Sequence, residues 1–142
     1  MADVSVDLPA RLVPAVRESA MLLYQATAES LHFSLRALGE ARATLEEVHA
    51  HRARLAQLDS LLDQLGWSDA EPGERRLTGS IEVLADAVYG ALLDAGERLA
   101  SGHADSWRGE LANDATQAGA REVIALDRLL RRIKAGGEEP GR

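Results

Sequence analysis

The sequence predicts an all-α protein, a single domain that folds as an up-down-up-down four-helix bundle. Its 142 residues are the size of one ordinary domain. Almost half of them are apolar, yet aromatics are few, because the apolar fraction consists mainly of Ala and Leu, which favour helices. Apolar residues recur at helical spacing in four segments separated by Gly, Pro and capping residues. The predicted helices cover about 10–38, 44–65, 79–101 and 106–134, between a flexible N-terminus (1–9) and a disordered tail (135–142).

The first predicted helix begins near Pro9 and Pro14, since a proline lacks the N–H that the first helical turn leaves unpaired. Its apolar stripe is Val13, Val16, Ala20, Leu23, Leu31 and Leu38. Gly39 suits a helix C-terminus, and the sequence T-L-E-E from Thr44 predicts a capping box that opens a second helix. One continuous helix from Pro14 to Leu65 is the alternative. The break is favoured because about fifty helical residues would extend about 75 Å.

Turn and capping residues delimit the other three helices. The second helix ends at Gly66, and the Gly-, Pro- and charge-rich segment 66–76 is the clearest linker in the chain. Thr78 or Ser80 can cap the third helix, and S-G-H-A-D-S (101–106) separates the third helix from the fourth. The apolar stripes of these helices are Ala41, Val48, Leu55 and Leu62; Ile81, Leu84, Val88, Leu92, Ala95 and Leu99; and Ala112, Ala115, Gly119, Val123, Leu126, Leu130 and Ile133.

Composition excludes several classes of function. The absence of cysteine excludes disulfides, thiol catalysis and Cys-based zinc sites. The net charge of −7 disfavours binding to nucleic acid or anionic lipid. The first twelve residues lack the apolar run of a secretory signal, and no window reaches the roughly 18 apolar residues of a membrane span. We expect a cytoplasmic protein with neither nucleic acid nor membrane as partner, and the Ala- and Arg-rich composition is typical of a GC-rich, actinobacterial-like genome.

Two Glu-x-x-His pairs raise the possibility of a metal site. Glu29–His32 and Glu46–His49 have the spacing that di-iron helical bundles use, and the two histidines lie at one level if the first two helices form a hairpin. At about 100° per residue, however, both pairs fall on polar helix faces. Solvated surface pairs are therefore the favoured interpretation, and a metal- or small-ligand-binding ferritin-like bundle is the alternative.

His51 differs from these pairs because it lies on the flank of the apolar stripe, in line with Leu58 and Leu65. Glu47, one turn earlier, is placed to accept a hydrogen bond from it. His49 and His51 point about 200° apart, so they do not chelate one ion. We expect His51 to be a half-buried structural histidine; His51, Glu47, His49 and His32 are the residues to test for metal, and no cofactor is predicted.

The tripeptide W-R-G (107–109) opens the fourth predicted helix. It resembles the Trp-x-Gly signature of WXG100 proteins, small helical hairpins exported by type VII secretion systems. The resemblance implies a secreted helical protein whose export depends on Trp107 and Gly109. It covers only this tripeptide and its helix-turn-helix surroundings, and the Tyr-x-x-x-Asp/Glu signal of that family is missing. The alternative is that Trp107 and Trp67 cap opposite ends of the bundle.

Two basic segments are candidate anion sites. The first is the end of the last helix, with Arg128, Arg131, Arg132 and Lys134. A helix C-terminus favours basic residues, so nucleic-acid binding is only the alternative there. The second is segment 73–80, in which Arg75, Arg76 and Thr78 precede a helix N-terminus and are placed to hold an anion; a linker with a cap is favoured. No nucleophile, phosphate-loop or dinucleotide motif occurs, so no catalytic residue is predicted.

These observations predict a small, non-enzymatic helical protein that acts through protein–protein contacts. We expect a homo-oligomer, most simply a dimer, or a complex with an unidentified protein partner. Apolar residues outside the stripes form the predicted interaction surface, because large exposed apolar patches mark interaction sites. They are Leu22, Phe33, Leu61, Tyr89 and Leu93.

Overall fold

The computed structural model describes residues 3–67, 71, 73–106 and 111–136. This part of the chain is mostly helical, as predicted, and contains four helices, but it also contains a small two-stranded sheet that is not predicted. The elements are β1 (Asp3–Leu8), a 3-10 turn (Ala10–Leu12), α1 (Val13–Gly39), α2 (Leu45–Leu65), β2 (Arg75–Ser80), α3 (Ile81–Ser106) and α4 (Leu111–Lys134).

Strand β1 corrects the prediction that residues 1–9 are flexible. Val4, Val6 and Leu8 are buried, and they alternate with polar residues so that one face of the strand is apolar. β1 pairs with β2 in antiparallel register, with Val6 opposite Leu77. The N-terminal segment is therefore ordered because it supplies one apolar face to the core.

The side chain of Gln64, on α2, binds the backbone of β2. Its Nε2 donates a hydrogen bond to the Thr78 carbonyl (2.9 Å), and its Oε1 accepts one from the Thr78 N–H (2.7 Å). One amide thus satisfies both backbone groups, as a neighbouring strand would. The sheet edge that faces α2 is closed at this point without a third strand.

We expect Gln64→Ala to lower the free energy of unfolding by about 1–2 kcal/mol, because both backbone groups of Thr78 lose their partner. Urea denaturation followed by circular dichroism measures the change. The control is Gln25→Ala, which truncates an exposed glutamine on α1. Equal stability of the two variants would show that the Gln64 amide does not stabilise the sheet.

Helices α1 and α2 are separate, and the expected signals are present at both ends of α2. At the end of α1, Gly39 is the last helical residue and not the residue after the helix, and Ala41 takes the left-handed conformation (φ 59°). α1 ends at Gly39 and α2 begins at Leu45, so the continuous-helix alternative does not describe the structure. Thr44 caps α2 by accepting a hydrogen bond from the Glu47 N–H (3.3 Å). At the other end, Gly66 adopts the left-handed conformation that suits glycine (φ 82°).

The boundaries of α3 and α4 differ from the prediction. Ser80, one of the two predicted caps, accepts a hydrogen bond from the Val83 N–H (3.3 Å) at the start of α3. α3 then continues through residues 101–106, predicted as a break. Gly102 is unfavourable in a helix by about 1 kcal/mol relative to Ala, which is too little to end a helix by itself. The W-R-G tripeptide at 107–109, including Trp107, lies outside the described residues.

The core lies where the helices meet the sheet. It joins one face of the sheet to the start of α1, the end of α2, the start of α3 and the end of α4. The largest fully buried side chains include Leu8, Leu12, Leu58, Leu62, Leu65, Leu77, Leu84, Leu126, Leu129 and Ile133. The core thus brings together the starts of α1 and α3 and the ends of α2 and α4.

A buried arginine joins α1 to the end of α2. The Arg17 side chain, only 7% exposed, donates two hydrogen bonds to the Leu65 carbonyl, from Nε (3.2 Å) and Nη2 (3.0 Å). That carbonyl belongs to the last turn of α2, where no intrahelical donor remains and positive charge is favourable. Trp67 follows and packs edge-on against Tyr24, with ring centroids 5.7 Å apart.

The far end of the α1–α2 hairpin buries few side chains. Beyond Thr27, no residue of α1 is buried, and in α2 only Val48 is buried before Leu58. Large apolar side chains are correspondingly exposed in this region, notably Phe33 and Leu45. This end of the molecule therefore offers apolar surface that the core does not use.

Candidate functional site

The site with the clearest shape is a groove between α1 and α3, which we call the α1–α3 groove. The two helices approach closely where Ser19 faces Gly90: a Cβ at Gly90 would overlap the Ser19 hydroxyl oxygen. A glycine inside a helix is unfavourable by about 1 kcal/mol relative to Ala. The close approach gives a structural reason for Gly90, and it sets the spacing of the helices beside the groove.

The α1–α3 groove has a volume of about 340 Å³. Small residues line most of it, together with Leu22 and Leu23. The lining also includes two exposed carboxylates, Glu18 and Asp94. The groove is thus an apolar depression with an acidic border, and Leu22 is both a lining residue and 62% exposed.

The structure locates the five residues of the predicted interaction surface. Leu22 and Phe33 are 62% and 64% exposed on α1, and Tyr89 and Leu93 are about half exposed on α3. Leu61 is only 2% exposed, so its predicted place on the surface is wrong. The reason is that the end of α2 packs against both α1 and β2, which widens its buried face.

Leu22 and Phe33 share one face of α1. They are eleven residues apart, which brings them back to within about 20° of each other, at a separation of about 16 Å along the axis. The small Ala26 and the exposed Glu29 lie between them on the same side, and Ser30 lies further round the helix, about 80° from Leu22. This side of α1, from Leu22 to Phe33, is called the α1 face below; Tyr89 and Leu93 do not line the groove beside it.

The four residues proposed as metal candidates, His32, His49, His51 and Glu47, are not gathered into one site. His32, His49 and Glu47 are exposed, and His51 is half-buried. The His32 ring lies edge-on to its neighbour Phe33, with centroids 5.7 Å apart. Within the described ranges, no group of three or more His, Asp or Glu side chains is placed to hold a metal ion.

Sequence reasoning misses the two residues that set the groove, Ser19 and Gly90. The available signal was Gly90 itself, since a glycine in the middle of an apolar helical pattern often marks a close helix contact. Ser19 offered no comparable signal, because a serine beside an apolar stripe is usually solvated.

None of the helices, over the residues described, has the length and hydropathy to cross a bilayer. Comparison with protein-family models, curated proteins and solved structures finds no match to this chain.

Proposed function

We propose that this chain is a non-enzymatic protein–protein interaction module, an up-down-up-down helical bundle that pairs with a second copy of itself through the α1 face. The observation that carries the proposal is the presence of a protruding apolar side chain, Phe33, and an apolar groove at Leu22 on the same helix face. A surface that carries both a protruding side chain and a complementary groove can pair with the same surface of a second copy.

Antiparallel packing of two α1 helices makes these features complementary. With the two-fold axis at the helix midpoint between Thr27 and Ala28, Phe33 of each copy faces the groove beside Leu22 of the other. Near the axis, Ala26 of each copy faces Glu29 of the other, so that a small side chain leaves room for the longer one. Each interface then buries four large apolar side chains, which supply about 1.5–3 kcal/mol each before the cost of association.

Charges support the same arrangement. Glu18, at the rim of the groove, and Arg36, near Phe33, are exposed on the same edge of α1. In the antiparallel pair, Arg36 of one copy lies within one residue of the position facing Glu18 of the other. Opposite charges at the interface margin favour this antiparallel register, because the edge that carries Glu18 and Arg36 then meets the same edge of the other copy.

We expect the protein to dimerise at micromolar concentration and Leu22→Asp or Phe33→Asp to weaken the dimer about thirtyfold or more, because each change places a carboxylate in an apolar contact. Sedimentation velocity over a concentration series measures the dissociation constant. The control is Ala56→Asp, which adds the same charge on the exposed side of α2.

Charge reversal tests the register. Glu18→Arg and Arg36→Glu should each weaken the dimer, and the double variant should restore it at least in part. A monomer throughout the series would exclude self-association. A dimer that the double variant does not restore would exclude this antiparallel arrangement.

A further inference from the structure

A second surface, remote in sequence from the α1 face, surrounds Pro9 at the end of β1. Two hollows of about 480 and 520 Å³ adjoin there and share Pro9 and Arg132 in their walls. The first lies between the end of β1 and the start of β2, and the second lies between the 3-10 turn and α4. Six arginines line them: Arg11, Arg75, Arg76, Arg128, Arg131 and Arg132. We call this surface the arginine basin.

The arginine basin is positively charged, although the molecule as a whole is negatively charged. Its six arginines face only two lining carboxylates, those of Asp7 and Glu74, a net charge of +4. Because the whole chain carries −7, everything outside the basin carries −11. A strongly acidic protein thus concentrates more than a third of its sixteen basic residues in one concave surface, and such a surface attracts anions.

The first hollow is partly neutralised by the protein itself. Arg76 forms an ion pair with Asp7 (2.9 Å), and Arg75 donates a hydrogen bond from Nη2 to the Glu71 carbonyl (3.1 Å). The Nε–H of Arg75 is buried and has no acceptor among the described residues. A buried donor without a partner is unfavourable by about 1–3 kcal/mol.

The second hollow has no carboxylate among its lining residues. Arg131 pairs with Asp127 just outside it (3.2 Å). Arg11 and Arg128 form neither a hydrogen bond nor an ion pair with any residue that the structure describes. Because Arg11 and Arg128 are exposed and have no acceptor among the described residues, their guanidinium groups are available to an external anion, and this hollow is the stronger candidate.

We propose that the arginine basin binds a short acidic peptide segment of a partner protein. The guanidinium group is planar and pairs with carboxylates through two parallel hydrogen bonds. The arginines come from three elements and extend across both hollows, which suits carboxylates distributed along an extended chain. Pro9, Leu12 and Ala125 add apolar contact in the second hollow, which suits the carbon atoms of such a segment.

The charge outside the basin selects against larger polyanions. An RNA strand or an anionic membrane extends beyond the basin. It then meets the rest of the molecule, whose net charge of −11 repels it. A peptide of a few residues stays within the basin. The proposal is independent of dimerisation, since it uses no residue of the α1 face.

The test is fluorescence anisotropy of a labelled peptide of four Glu-Ala repeats, titrated with the full-length protein. We expect saturable binding in the range of about 10–100 µM at low salt, weakening as salt is raised. The double variant Arg11→Gln, Arg128→Gln should weaken binding about tenfold or more, because two charge-assisted contacts are lost. The control is Arg42→Gln, Arg52→Gln, which removes two exposed arginines of the α1–α2 hairpin and should change binding less than about twofold.

Three results would overturn the proposal. The first is no saturable binding of the peptide at about 1 mM protein. The second is equal weakening in both double variants, which would mean that only net charge matters. The third is preference for a labelled RNA octamer or for inorganic triphosphate over the peptide, which would make the basin a phosphate site instead. Urea denaturation of each variant shows that it is folded.

Discussion

Replacing Val6 by Asp is expected to lower the free energy of unfolding by about 4 kcal/mol or more. Val6 is fully buried in β1, opposite the equally buried Leu77 of β2. A carboxylate at this position loses its hydration and finds no positive partner in an apolar cluster. Because a domain of this size has a total stability of about 5–15 kcal/mol, the variant should be partly unfolded at room temperature. Urea denaturation followed by far-ultraviolet circular dichroism measures the loss.

The matched control is Ser5→Asp, one residue earlier on the same strand. Ser5 lies on the opposite side of β1, where its hydroxyl meets that of Thr78 (2.7 Å) near solvent. We expect the free energy of unfolding of this variant to fall by about 1 kcal/mol at most, since the substitution breaks one exposed contact. Similar losses in the two variants would show that β1 does not pack on the core as described.

Replacing Arg17 by Met should lower the free energy of unfolding by about 2–3 kcal/mol. The methionine fills a similar volume but donates no hydrogen bond, so the Leu65 carbonyl loses both donors at the end of α2. Arg17→Lys should lie between wild type and Arg17→Met, because an ammonium retains charge but not the two-pronged geometry. The measurement is urea denaturation at low and high salt.

Measurements at high salt distinguish the contribution of this buried contact from that of surface charges, because salt screens only the exposed charges effectively. The decrease in the free energy of unfolding of Arg17→Met should persist when salt is raised, since salt poorly screens a residue that is only 7% exposed. The control Arg52→Met removes an exposed arginine of α2 and should change stability by less than about 0.5 kcal/mol. Wild-type stability in Arg17→Met would mean that apolar packing alone suffices at this site.

The helix ends around the α1–α2 hairpin are readable from the sequence because their signals are local. The Thr44 cap and Gly66 each act through neighbouring backbone groups, so a few residues contain the information. Gly39 locates the end of α1 only to within two residues, since Ala41 takes the left-handed conformation there. Leu61 is different. Its burial depends on β2 packing against α2, a contact between segments that no helical period reports.

The two strands are unequally predictable. β1 carries a period-two pattern, with Val4, Val6 and Leu8 separated by polar residues, and this signal is sufficient in principle. β2 has one apolar side chain, Leu77, in a run of polar and glycine residues. It becomes a strand because β1 pairs with it, a cause that lies about seventy residues away.

The arginine basin could not be predicted from the sequence, because it too depends on contacts between distant segments. Its residues come from the chain start, from the segment before α3 and from the last helix. Each segment has a local explanation, a linker or a helix terminus, and only the fold brings the segments together. The Ser19–Gly90 contact that sets the α1–α3 groove is likewise a product of two helices meeting.

The pairing of Val6 with Leu77 also sets an order of events during synthesis. β1 is made about seventy residues before its partner strand. At about 5–20 residues per second, the ribosome needs roughly 4–14 s to bridge that interval. Throughout it, an unpaired strand with one apolar face is available to neighbouring nascent chains. The contacts between α1 and α2 can form in that interval, whereas the sheet and the core that these helices share with α3 and α4 form only later.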